Sequence, residues 1–195
     1  MLSIVAGCGG HATSQPATTT TGTGLHGLVP QPLPAKPRFV LTDTSRRPFS
    51  FAAATRHKLT YLYFGYTHCP DACPFTMADI AAALRREPAS VRRRVEVVFV
   101  TVDPRRDTPP VLRRWLDNYN DRFVGLTGTK PEITAAERAA GIPLAAPEKV
   151  KGAGYSVAHS TLVIPYSPDG LAHVVYSQGF RPSDYAHDMP LLLRY

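Results

Sequence analysis

Cysteine is scarce: three thiols in 195 residues, Cys8 alone near the start and Cys69 with Cys73 as a close pair. Three are too few for a disulfide framework, and a low count with one tight pair signals redox chemistry or a metal site instead. Long apolar runs are missing too. No stretch of about 20 apolar residues occurs, so the sequence holds no segment suited to a transmembrane helix. Aromatic interleaving is absent from the basic run Arg85, Arg86, Arg92, Arg93 and Arg94, and no nucleic-acid-binding motif surrounds it, which excludes nucleic acid as a partner. That run carries much of the net charge of +7 (22 Lys and Arg against 15 Asp and Glu). It reads as a solvated helix end and turn, or as a patch that docks on an acidic partner or on anionic headgroups. There is no internal repeat. What remains suffices for one domain and a tail: 44% of residues are hydrophobic and 19% charged, enough apolar surface to offset the ordering entropy of a single core.

The first eight residues end in Val5-Ala6-Gly7-Cys8, which resembles a bacterial lipobox. That resemblance implies cleavage before Cys8 and a diacylglycerol on its thiol, two acyl chains that hold the chain to a membrane from outside the cytoplasm, in the cell envelope. The apolar stretch is shorter than an export signal's and has no basic residues before it, so the true start is expected to lie upstream. Residues 9–38 are rich in Thr, Gly, Pro, Ala and Ser, with Thr18 to Thr21 in a row and Pro30, Pro32, Pro34 and Pro37 following. Such a composition builds no core and is expected to act as a spacer, flexible and then stiffened by proline.

Residues 39–195 carry the folded domain. Phe39-Val40-Leu41 and Phe49-Ser50-Phe51 flank a turn and suggest an N-terminal β-hairpin. A β-rich run, Leu59 to Phe64, leads into the cysteine loop, after which Phe75, Met77, Ile80, Ala81 and Leu84 recur at helical spacing. Further strands are expected at Val95–Val102, Phe123–Leu126, Ser160–Ile164 and Leu171–Tyr176, and helices at Pro109–Tyr119, Pro131–Ala140 and Ser183–Leu193. This alternation predicts an α/β fold, a central mixed β-sheet flanked by helices.

Cys69 and Cys73 are four residues apart at a strand end where a helix begins, so both can face one spot. Free N–H groups and the helix dipole there favour thiolate, the form that binds metals and attacks disulfides. The pair alone leaves both chemistries open, and a third ligand decides between them. Seven histidines compete. His11 and His26 lie in the tail, His57, His173 and His187 in turns or on element faces, His68 beside Cys69 but pointing away, and His159 at the start of an expected strand.

Four motifs in order resemble those of the SCO/SenC family: Thr67-His68-Cys69-Pro70-Asp71-Ala72-Cys73-Pro74, Val102-Asp103-Pro104-Arg105-Arg106-Asp107-Thr108-Pro109, Phe123-Val124-Gly125-Leu126-Thr127-Gly128, and His159-Ser160. The resemblance runs from Phe39 to the C-terminus and implies a thioredoxin-like fold with copper, as Cu(I) or Cu(II), on Cys69, Cys73 and His159. It also implies a client, the cytochrome c oxidase subunit with the binuclear copper site, or a further copper chaperone as partner. In that reading Asp103 and Asp107 support the site from outside or meet the partner, while Tyr66 and Phe75 are packing residues. The family commonly has Asp before the histidine, and here Ala158 takes that place. Soft thiolates with one imidazole suit copper; zinc ranks lower because its structural sites want four ligands. A thiol-disulfide oxidoreductase is the second reading, although three residues separate these cysteines where such enzymes typically carry two. A peroxidase-like enzyme attacking through Cys69 or Cys73 is a third.

Overall fold

The computed structural model describes residues 24–150, 152 and 154–195. Cys8, the lipobox-like stretch, His11 and the first part of the expected spacer lie outside the described residues. In chain order the elements are β1 (Val40–Asp43), β2 (Pro48–Ser50), α1 (Phe51–Ala54), β3 (Leu59–Gly65), α2 (Ala72–Arg86), α3 (Ala89–Arg92), β4 (Val95–Thr101) and α4 (Pro109–Asp117). Then follow β5 (Val124–Thr127), α5 (Lys130–Ala139), β6 (Ala146–Lys149), β7 (Tyr155–Ala158), β8 (Val163–Tyr166) and α6 (Pro182–Leu192).

Six strands form one mixed sheet in the order β2-β1-β5-β4-β3-β8. β3 pairs parallel with β4, and β4 with β5, while β1 and β8 join antiparallel at either side. The sequence of β3, Leu-Thr-Tyr-Leu-Tyr-Phe-Gly, is buried at every position, as a strand covered on both faces must be. Its aromatic and β-branched residues suit a crowded pleated surface. Tyr61, Tyr63, Phe64, Phe99, Phe123, Tyr166 and Tyr176 are the bulk of the core. The N-terminal hairpin is β1 with β2, and the expected mixed α/β sheet is present.

α2 buries Cys73, Met77, Ile80, Ala81 and Leu84, a stripe at three- and four-residue steps. Phe75 lies off that stripe. It stands two residues from Cys73, about 200° round the helix, and is 66% exposed, so it is a surface residue and not the packing residue its spacing suggested. The basic run occupies the far end of α2 and the turn around α3, in the solvated form, with Arg85 and Arg86 in the last turn where a helix dipole favours cations.

Three expectations change. The expected spacer does not run free to residue 38: from Gly24 on it lies along the fold as a strap, with Leu25 buried, Leu28 bridged to Val175 and Ala35 bridged to Leu171. Leu171–Tyr176 makes isolated bridges and no continuous strand, because its partners change from the strap to Val163 of β8. The strand expected at Ser160–Ile164 is shifted to Val163–Tyr166. A hairpin of β6 and β7, unforeseen, precedes His159. All four residues of β6 are exposed, so no apolar alternation marks it.

Candidate metal centre

The centre sits where β3 ends and α2 begins. Asp71, at the start of α2, makes no capping hydrogen bond with its side chain. Cys69 Sγ takes that place, 3.5 Å from the Cys73 amide, so a sulfur receives one of the N–H groups that a helix start leaves free. Pro74 follows in the first turn, where its lack of an N–H costs nothing. The loop is fastened from beneath by Asp107, which is fully buried and accepts from Thr67 N (2.9 Å), Thr67 Oγ1 (2.6 Å) and Thr101 Oγ1 (2.7 Å).

His159 reaches the sulfurs from the connection between β7 and β8. Its Nδ1 lies 2.8 Å from the Ser160 carbonyl and 3.0 Å from the Phe64 carbonyl. Carbonyl oxygens only accept, so Nδ1 carries a proton and Nε2 is the atom presented to Cys73 Sγ at 3.6 Å. Tyr63 and Tyr66 meet the imidazole edge to face, with centroids 6.3 and 5.5 Å away, and fix its plane. The Tyr63 hydroxyl donates to Cys73 Sγ at 3.7 Å. One donor atom from each of Cys69, Cys73 and His159 lies within 4.8 Å of the other two.

The thiols differ in charge. A hydrogen bond from the Cys73 thiol outweighs the cost of burial at Cys69 and, with His159 and the helix-start N–H groups, pulls its pKa down to about 3. Burial pushes Cys73 up, and the neighbouring Cys69 charge adds to the rise. Burial works to lower His159, but its bond to Cys69 and to the two carbonyls prevails and raises it. Before loading, the centre is therefore one thiolate, one thiol and an imidazole that favours its proton. A metal must displace those protons. Two sulfurs and an imidazole fit a soft ion, and no fourth His, Cys, Asp or Glu joins them among the described residues.

The other expected residues take different places. His68 is exposed and turns to Thr67 Oγ1 (3.0 Å) and Asp107. His173 pairs with Asp169 at 2.8 Å and stacks on Tyr195, while His57 occupies a left-handed turn with φ 59°. Asp103 is buried, pairs with Arg106 and accepts from the Tyr155 hydroxyl at 2.8 Å. Arg106 also donates to the Tyr155 carbonyl at 3.1 Å and lies over the Tyr155 ring at 4.0 Å. Both carboxylates are buried and hydrogen-bonded within the fold. Ala158 is exposed at the end of β7, beside the centre. Gly65 is a further contributor. A Cβ there would stand 2.6 Å from Cys73 Sγ and 2.8 Å from Tyr63, so only glycine lets the buried sulfur sit against the strand. A glycine closing a strand beside a cysteine loop is the signal for it.

A mixed sheet with a thiol pair at a strand-to-helix junction, faced by an imidazole, defines a thioredoxin-like protein built around a Cys-Cys-His cluster. The SCO1/SenC family model matches residues 30–194, and the chain belongs to that family. A Stutzerimonas stutzeri protein whose name assigns it copper binding is 35% identical over 136 residues, 70% of this chain and 66% of its own length. The bovine mitochondrial SCO2 homologue is 36% identical over 63% of this chain, and the match spans 47% of that protein. The chain thus spans between about half and two thirds of these relatives. ScoI of Bradyrhizobium japonicum, solved with copper bound, superposes with a TM-score of 0.71 at 28% identity, covering 80% of this chain and 98% of that one.

Proposed function

We propose that this chain is a metallochaperone that carries one copper ion on Cys69, Cys73 and His159 and releases it by ligand exchange, without turnover, to the binuclear copper site of cytochrome c oxidase or to another copper chaperone. The observation that carries the proposal is the meeting of two sulfurs and one oriented Nε2 from distant segments within 4.8 Å. Thiolates hold Cu(I), and the imidazole extends tolerance to Cu(II). Support comes also from the relatives, one named for copper binding and one solved with copper in place. Nothing in the protonation pattern is wasted on this reading: Cys69 is ionised in advance, and Cys73 gives up its proton only to a metal strong enough to take it. Lipid on Cys8 would hold the carrier at the outer face of a membrane, the location suited to an oxidase client.

Anaerobic copper titration of the reduced chain and of His159→Ala tests the assignment. About one copper per chain is expected, with Cu(II) binding weakened strongly by the substitution and disulfide formation between the cysteines intact. Stoichiometric Cu(II) binding indifferent to the substitution overturns the three-ligand site. Rapid catalytic reduction of a protein disulfide would instead support the oxidoreductase reading.

A further inference from the structure

A second set of metal-type donors converges where the strap crosses α6. His26, His187 and Asp188 each place a donor atom within 4.8 Å of the other two. The two imidazole rings stack with centroids 3.9 Å apart and planes 9° from parallel. His26 Nδ1 lies 2.9 Å from Asp184 Oδ1, and His187 Nδ1 lies 2.9 Å from Asp188 Oδ1. Asp188 is buried, its carboxylate held by Gly27 N (3.0 Å), His26 N (2.9 Å) and the Tyr176 hydroxyl (2.9 Å), the kind of outer support that fixes a ligating carboxylate. The histidine side chains are 46% and 43% exposed, so an ion reaches them without crossing the core. As they stand the two exposed rings lie face to face, so holding one ion turns each ring about its side-chain torsions until a nitrogen of each faces the Asp188 carboxylate.

The geometry points to a second cation site on His26, His187 and Asp188, with Asp184 beside it, taking a borderline divalent metal such as Zn(II), Ni(II) or Cu(II). Imidazole and carboxylate donors suit these ions, and the lack of sulfur leaves the set a poor host for Cu(I). The molecule then separates its metals by softness: thiols at one site, nitrogen and oxygen at the other. Occupancy of the second site joins the strap to α6 through the ion, so divalent metal and strap docking favour each other.

Calorimetric titration of Zn(II) into the full chain, its thiols first filled anaerobically with Cu(I), tests the site. About one equivalent of zinc is expected to bind, and excess zinc to raise the melting temperature. His26→Gln and His187→Gln leave a polar group beside each carboxylate; each is expected to weaken zinc by about tenfold or more and to abolish the melting shift, with the Cu(I) equivalent retained. Removing the thiol site by Cys69→Ser with Cys73→Ser is expected to keep the zinc equivalent. Absence of zinc binding beyond the thiols, or binding untouched by both histidine substitutions, overturns the site. Loss of stability in the variants without any zinc dependence also overturns it, and leaves the cluster as a plain latch for the strap.

Discussion

Gly65 and Cys73 show how closely one residue depends on another at the end of β3. With a Cβ only 2.6 Å from the sulfur, Gly65→Ala must push Cys73 or Tyr63 out of place. The expected cost is about 1–3 kcal/mol of stability, typical of overpacking a filled core, together with weaker copper binding. Thermal melting and a copper competition assay measure the two, and unchanged affinity would show that the sulfur's place against the strand is immaterial. The charge asymmetry of the thiols is tested by alkylation. Cys69, with its pKa near 3, is expected to react with iodoacetamide at about pH 5, where an ordinary thiol is almost wholly protonated, while buried Cys73 stays unlabelled. The sign for stability follows from the same shift. The folded value lies below the 9.0 of an ordinary thiol, so ionisation of Cys69 stabilises the fold fully above about pH 9, and that contribution is lost as pH falls toward about 3. Equal labelling of both cysteines, or none at low pH, contradicts the asymmetry.

At the scale of elements, the β6–β7 hairpin is what delivers His159, and it is tethered to the rest by the Asp103, Arg106 and Tyr155 cluster and by the Val157 amide on the Tyr66 hydroxyl. Tyr155→Phe keeps the ring beneath Arg106 and removes one hydrogen bond to a buried carboxylate. A loss of about 1.5–3 kcal/mol is expected, since the bond is made to a charged group. Hydrogen exchange at Val157 and its neighbours is expected to quicken, and unaltered exchange would mean that the hairpin holds itself in place. This hairpin was not legible in the sequence, because exposed strands such as Ala146–Lys149 carry no apolar alternation. β3, β4, the cysteine loop and the stripe of α2 were legible, since burial forces their composition. His159 was legible only through the succession of motifs; its spacing gave no cue that two backbone carbonyls would turn its Nε2 to the sulfurs. Proline made the strap look like spacer throughout, yet two backbone amides on Asp188, the buried side chain of Leu25 and the bridges to Val175 and Leu171 lay it down.

Across the whole molecule, the strap is secured at its other end by Lys36. Its ammonium donates to the carbonyls of Thr55 (3.0 Å) and Lys58 (3.4 Å), and burial brings its pKa down to about 8, against the pull of Asp169. Between about 8 and 10.5 the unfolded chain holds this proton and the folded chain releases it, so the contribution of Lys36 to stability is expected to rise with pH across that window, against the opposite contribution of buried Cys73. Lys36→Met is expected to remove the rise, as denaturant unfolding at a series of pH values will show; a slope identical to that of the parent assigns the effect elsewhere. The unequal cover of the two cysteines has a last consequence for the proposed carrier. Cys73 is sealed in the core while Cys69 and His159 are only half-buried at the rim, so a receiving protein would meet those two donors first. Handover would then be sequential, with a rim donor exchanged for one of the acceptor's before the inner sulfur lets go.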